Sequence, residues 1–331
     1  MKKHKICKIL LVILAIFLCV AFYELLGICV AYKKQPEVSN TTKKETKNGS
    51  WNECSENTER AVIIEKNPEA LLQRVRLIKN AKKEIILSTF AFQSDESGKL
   101  ILGALHDAAD RGVHIRLLVD GMESWIDMEG NPYFYGLSSH ENVEIKLYNK
   151  ANPLKPWKMM GRMHDKYLIA DGKRYILGGR NTYNYFLGDF PGHKNYDRDV
   201  LVVCDEPEKE NSVNQLLEYF ETIWEQEDSG YFHDNKKLAN RQSVKNAVLE
   251  LQNGYQKYFE ENKERICDTD YTDETFETEK IALVSNPIHT GSKEPVVWYQ
   301  LGELMKNAKN RVKIHTPYII CNDMMYNTWE E

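Results

Sequence analysis

Two regimes of apolar patterning divide the chain. Ile9–Tyr23 is uninterrupted apolar sequence, Glu24 breaks it, and Leu25–Tyr32 completes the run before Lys33-Lys34. A helix of that length crosses the ~30 Å hydrocarbon core of a bilayer. Residues 33–59 are rich in Lys, Thr, Asn, Ser and Glu without periodicity, and read as a polar linker. Beyond residue 60, apolar positions switch between the two-residue period of strands and the 3.6-residue period of helices. The pattern predicts strands at Ala61–Ile64, Glu84–Phe92, Val113–Val119, Val143–Tyr148, Arg174–Leu177 and Val200–Cys204. A helix should start at Asn67-Pro68, with Asn67 as cap, and run towards Lys82. Others are expected over Ser97–Arg111 with Gly112 as stop, Tyr183–Leu187, 208–226 and 235–265, the last as one polar helix or a pair. Trp125–Leu137 reads as an aromatic-rich loop, either a lid or lipid-facing rim or core packing. Strand–helix alternation implies an α/β fold with a mixed, largely parallel sheet flanked by helices.

Charge refines this picture. Lys2, Lys3, Lys5 and Lys8 precede the apolar run and two lysines follow it closely. The bias predicts a single-pass signal anchor at 9–32 in a cell membrane, with a cytoplasmic N-terminus and the bulk of the chain on the extracytoplasmic side. The net charge of −5 excludes the global basic field of nonspecific nucleic-acid binders. In that compartment Cys54, Cys204, Cys267 and Cys321 would meet oxidising conditions, although spacing selects no pairing. Cys204, on an apolar strand, reads as a buried thiol.

The candidate chemistry lies in residues 162–181. Met163, Tyr167 and Ile169 alternate as on a half-buried strand, where residues two apart share a face. His164 and Lys166 should project together from it, with Asp171 at the strand end, placed to orient the imidazole or balance its charge. A nucleophilic imidazole beside a fixed ammonium suits a phosphate ester, one attacking phosphorus while the other holds the oxygens. The corner Gly178-Gly179-Arg180-Asn181 brings backbone and carboxamide donors to the same phosphate. The bland alternative is a partly exposed strand with a satisfied histidine and a solvated lysine. Asp120-Gly121 ends another strand, either lining the site or forming a plain turn.

His-x-Lys-x4-Asp followed by Gly-Gly-x-Asn resembles the phospholipase D superfamily, and the surrounding sequence is similar to its bacterial cardiolipin-synthase-like branch. The resemblance implies a phosphohistidine on His164, Asp171 completing the motif, and Lys166, Gly179 and Asn181 holding the phosphate, without cofactor or metal. It also implies an acid near the histidine, for which Asp199 of Asp197-Arg198-Asp199 is the better match, a solvated strand-start acid being the alternative. The Phe220 and Trp224 pair recurs in the family, but core packing explains it fully.

Lys79-Asn80-Ala81-Lys82 recurs as Lys306-Asn307-Ala308-Lys309, and Thr89 aligns with Thr316 after a second apolar stretch. Such self-similarity marks a duplicated unit. The resemblance implies two halves that each donate one motif, yet His289 and His315 lack the lysine and aspartate spacing. The expected organisation is therefore a first phospholipase D-like domain at 60–230, a helical and acidic connector at 231–279, and an incomplete second half at 280–331. Either a missing second half or a homodimer pairing two His164 residues would complete the site. The expected function is a membrane-anchored phosphatidyltransferase or phosphodiesterase whose partner is a phospholipid, phosphatidylglycerol or similar. The alternatives are a nucleic-acid phosphodiesterase working as a half-site dimer, which needs a Lys/Arg groove beside His164 and is disfavoured by the charge, and a non-catalytic remnant or partner subunit.

Overall fold

The computed structural model describes residues 2–49, 59–204, 211–316 and 323–330; Cys54, Cys321 and the start of the helix expected at 208 lie outside them. The chain divides into two compact units, the smaller from the described parts of 1–53, 154–160 and 282–331, the larger from those of 54–153 and 161–281.

In the smaller unit helix α1 (Lys2–Tyr32) contains the apolar segment Lys5–Tyr32, long and apolar enough to cross a membrane. The expected linker is partly structured, because α2 occupies Asn40–Asn48. Ser39 caps it by accepting from the Thr42 amide, and Gly49 closes it in the left-handed conformation at φ +74°. Glu294 further anchors its start, accepting from the Ser39 amide at 2.8 Å and the Thr42 hydroxyl at 2.7 Å. Caps and a carboxylate contact compensate for a segment without an apolar stripe.

The larger unit is a sheet with helices against it. Its elements are β1 (Glu59–Ile64), α3 (Asn67–Asn80), β2 (Glu84–Thr89), α4 (Glu96–Asp110), β3 (His114–Asp120), α5 (Glu123–Asp127), α6 (Pro132–Ser138), β4 (Val143–Tyr148), β5 (Lys166–Ala170), β6 (Arg174–Gly178), β7 (Asp199–Cys204), α7 (Ser212–Trp224), β8 (Ser229–Tyr231), α8 (Gln242–Glu261), α9 (Lys263–Cys267) and β9 (Phe276–Glu277). Among the described residues nine strands form one sheet in the order β8-β4-β3-β2-β5-β6-β7-β1-β9. The sheet is mixed, but "largely parallel" needs correction: only β2–β3 and β3–β4 pair in parallel. The chain reverses into β5 and then turns tightly into β6, so every later pairing is antiparallel.

The hydrophobic core joins β2, β3 and β4 to α3, α4, α6 and α8, with Ile85, Ile101, Leu105, Leu117 and Phe134 fully enclosed. The aromatic-rich loop is in fact α5 and α6: Asn131 caps α6 and Phe134 and Leu137 enter the core, which folds that stretch inward. Tyr183–Leu187 is a turn rather than a helix, since the Phe186 and Leu187 amides both bond Tyr183 O and Gly188 follows at φ +70°. Residues 231–279 belong to this unit and do not act as a connector. Helix α8 buries Val244, Ala247, Leu251, Tyr255 and Phe259 at helical spacing. In the acidic stretch Glu274 pairs with buried Arg76 at 2.9 Å, Tyr271 lies 3.9 Å beneath its guanidinium, and β9 extends the sheet beside β1. Cys204 is a buried thiol on β7.

Helices α10 (Val296–Lys306) and α11 (Asp323–Glu330) complete the smaller unit. The internal repeat is reproduced in its helical part, as α3 ends at Asn80 and α10 at Lys306. The strand part is not: residues 311–316 form no strand, and Val312 and Ile314 are exposed. Their counterpart β2 has partners on both sides, whereas no described strand pairs with 311–316.

The centre of the larger unit is held by a buried ion triad. Asp199 Oδ2 accepts from Arg74 Nη1 at 2.9 Å and faces Arg180 Nη1 at 3.3 Å, with all three side chains enclosed. Asp199→Ala leaves two buried guanidinium groups without their counter-charge and is expected to cost about 3–5 kcal/mol. Urea denaturation followed by tryptophan emission measures this, and an unchanged midpoint would contradict it.

Candidate active site

Strand direction gathers six strand ends along one edge of the sheet. β2, β3 and β4 finish there at Thr89, Asp120 and Tyr148. β5 begins there with Lys166 opposite Thr89, and β6 finishes at Gly178 opposite Asp199, the start of β7.

His164 stands two residues before β5, exposed, with its ring edge-on to Phe90 at 4.7 Å between centroids. Lys166 is buried, its Nζ donating to His164 O at 2.7 Å and lying 5.3 Å from the centre of the same Phe90 ring. The two side chains thus meet as the spacing predicts, around an aromatic ring that no motif announces. Partial desolvation and the Lys166 charge both lower the pKa of His164 below its ordinary value. Burial lowers Lys166 to about 8, against the opposing charges of Asp165 and Asp197. Near neutral pH the arrangement therefore presents an uncharged imidazole beside an ammonium.

The approach to His164 is clamped from below. Asp120 is completely buried; its Oδ2 accepts from the Met163 amide at 3.0 Å, and its Oδ1 accepts from Arg162 Nη1 at 3.0 Å and the Met122 amide at 2.9 Å. Asn149, at φ +49°, donates to Gly161 O at 2.9 Å and accepts through its own carbonyl from Arg162 Nη2 at 2.7 Å. Asp120 is therefore neither a plain turn residue nor a ligand group but the anchor of the motif segment. Beside it, Asp165 Oδ2 accepts from the Tyr219 hydroxyl at 2.7 Å.

The Gly-Gly corner admits two carboxylates. A Cβ on Gly178 would sit 2.1 Å from Asp199 Oδ1, and one on Gly179 would sit 2.1 Å from Asp197 Oδ2. Arg180 is buried, donating to Asn67 Oδ1, Ile64 O and Glu65 O. Asn67 consequently serves this network rather than the cap of α3, which falls on Lys66. Asn181 is buried, with its Oδ1 accepting from the Ala91 amide at 3.2 Å and its side chain bonded to the Tyr183 hydroxyl.

Two expectations are corrected. Asp171 lies at the opposite end of β5, where its carboxylate accepts from the amides of Lys82, Lys83 and Glu84 at 2.7–3.1 Å. A five-residue strand separates it from His164, so it holds the start of β2 and does not orient the imidazole. Asp199 is occupied by Arg74 and Arg180, and of the two acids in Asp197-Arg198-Asp199 it is Asp197 whose charge, with that of Asp165, reaches Lys166. The Gly-Gly and Asp-x-Asp pairs carried that signal jointly, each glycine making room for one acid. No group of three or more His, Cys, Asp or Glu side chains is placed to share a metal ion among the described residues.

Comparison with known proteins bears on this geometry. Residues 74–224 match the family model described as cardiolipin synthase, PLD-like domain. Residues 74–224 thus carry a phospholipase D-like domain similar to those of cardiolipin synthases. An uncharacterized protein of Helicobacter pylori strain J99 is 30% identical over 206 residues, covering 58% of this chain and 38% of that protein. Cardiolipin synthase C of Escherichia coli K12 is 29% identical over 171 residues, covering 47% and 34% respectively. The chain thus spans well under half the length of these curated relatives. Among solved structures, NucT from Helicobacter pylori overlaps 53% of this chain and 99% of its own, at 18% identity and a TM-score of 0.41.

Within this phospholipase D-like domain the electrostatic roles are separable. Lys166→Met removes the nearby positive charge and is expected to raise the His164 pKa towards the ordinary 6.5, read by NMR titration of the imidazole. Asp171→Ala should destabilise the fold by about 1–3 kcal/mol through its unpaired amides and leave that titration in place. A His164 shift in the Asp171 variant as large as in the lysine variant would return Asp171 to the site.

Proposed function

We propose that the chain is a membrane-anchored phosphatidyltransferase or phosphodiesterase of the phospholipase D type that acts on phospholipids through His164. The supporting observation is the uncharged, exposed imidazole of His164 held beside the buried Lys166 ammonium at one sheet edge. The imidazole attacks the phosphorus of a phosphodiester, the N–P bond forms, and the P–O bond to one alcohol breaks. Lys166, with the Asn181 carboxamide, stabilises the charge that develops on the phosphoryl oxygens, an effect worth several kcal/mol at preorganised sites; the expected Gly179 amide instead donates to Arg198 O at 3.3 Å. Water or an incoming alcohol then takes the phosphoryl group and frees His164.

The leaving alcohol needs a proton, and the later nucleophile must lose one. On this reading a second histidine does both, supplied by another phospholipase D-like half or by a second copy of the chain. Such general acid–base help is typically worth ~10²–10⁴-fold. Asp197 acts on the cation: its charge holds the Lys166 pKa up, extending the pH range in which the ammonium persists. Helix α1 would place the domain at the membrane where phospholipids reside, with the N-terminus cytoplasmic.

The test is a lipid assay of the full chain on phosphatidylglycerol, with acid-quench trapping of a phosphohistidine. His164→Ala should abolish both turnover and label. Wild-type activity should fall on the acid side as His164 protonates and on the alkaline side as Lys166 deprotonates near pH 8. Asp197→Asn removes one of the two charges, with Asp165, that raise the lysine pKa, so its alkaline limb should move to lower pH. Retained labelling in His164→Ala would reject the nucleophile assignment.

A further inference from the structure

The segment joining β3 to α6 carries a feature that phosphoryl transfer does not use. Helix α5 buries Ser124, and Met128 behind it is enclosed, yet Trp125 and Ile126 are 68% and 70% exposed. Isolated exposed apolar residues are ordinary, but an adjacent pair at the tip of a short helix beside a site is an interaction surface in miniature. Its root is tied to the site: Asp120 accepts from Met122, at the entry to α5, and from Met163, next to His164.

We infer that Trp125 and Ile126 dip into the lipid–water interface and hold the phosphate-binding edge against the bilayer. This rests on the phospholipid reading above. The choice of occupant follows from chemistry. Asp120 is buried against Arg162, but Glu123, Asp127 and Glu129 reach the surface and residues 120–131 contain no Lys, Arg or His, so a polyanion such as nucleic acid finds no cation on this segment. A Trp ring is apolar in body with one polar N–H, which suits it to the headgroup level of a membrane. The same chain carries α1, long and apolar enough to cross a membrane, which would keep this tip close to lipid. Because the contact is apolar and flanked by acids, it gains nothing from anionic headgroups, and added salt does not weaken it.

The experiment uses the full chain reconstituted into phosphatidylcholine vesicles containing phosphatidylglycerol, with and without brominated acyl chains. Brominated lipid should quench wild-type tryptophan emission more than that of Trp125→Phe, and the difference should persist at high salt. Trp125→Asp/Ile126→Asp should lower turnover of bilayer phosphatidylglycerol by about tenfold or more and leave hydrolysis of the water-soluble bis(4-nitrophenyl) phosphate unchanged. Equal quenching in wild type and Trp125→Phe would overturn the inference, as would equal losses on both substrates. A change in Trp125 emission on adding an oligodeoxynucleotide, without brominated-lipid quenching, would overturn it in favour of a nucleic-acid surface. A wild type that turns over neither substrate defeats the catalytic reading, while the quenching comparison still decides the membrane contact.

Discussion

Keeping an ammonium charged out of water is the constraint around which this sheet edge is built. Removing a cation from solvent costs several kcal/mol unless partners compensate, and Lys166 is buried at the first position of β5. Its partners are the His164 carbonyl, the face of Phe90 and the charges of Asp165 and Asp197. They compensate only in part, which is why the lysine stays acidic at about 8 instead of recovering an ordinary value. A site left short of negative charge in this way is one in which a phosphate oxygen is a welcome partner. The same incomplete compensation acts on His164, since an undercompensated neighbouring cation disfavours a second proton there.

The candidate pair was legible because its two members are close in sequence. His164, two residues before β5, and Lys166, its first residue, both reach the Phe90 ring. Strand positions were legible for the same reason: β4 falls where the two-residue period put it, and β1, β3 and β7 deviate by two residues or fewer at either end. Pairing was not, because an apolar strand reads alike whether its neighbour is parallel or antiparallel. The insertion of β5 beside β2 in antiparallel sense decides the whole second half of the sheet, and it is set by packing across many residues. Asp171 shows the cost of reading a motif as a cluster. Its place at the far end of β5 follows from strand rise alone, about 3.3 Å per residue, and its three amide bonds make it a fastening for β2.

The repeated segment separates propensity from context. Lys79–Lys82 and Lys306–Lys309 both close a helix, which needs only local hydrogen bonds. Only the first copy continues into a strand, because a strand exists through its neighbours. Helix α2 makes the converse point: a sequence without apolar periodicity forms a helix once Ser39, Gly49 and Glu294 satisfy its ends. In both cases the deciding partner lies far away in sequence, where no window of pattern includes it.

The two consecutive glycines of the corner show how a fold and a site can share a few atoms yet remain distinct. Gly178 makes room for Asp199, whose Oδ2 is paired with Arg74 and Arg180. Gly179 makes room for Asp197, whose charge instead reaches Lys166. A side chain at the first position would disturb the buried triad, and one at the second would disturb the lysine's charge state. The motif position conventionally written Gly-Gly thus contains two separate requirements, one for stability and one for electrostatics. Asp120 does the opposite, combining two tasks in one carboxylate by holding both the His164 approach and the root of α5. The root of α5 and the motif segment are thus linked through one completely buried carboxylate, shared by the Met122 and Met163 amides and by Arg162.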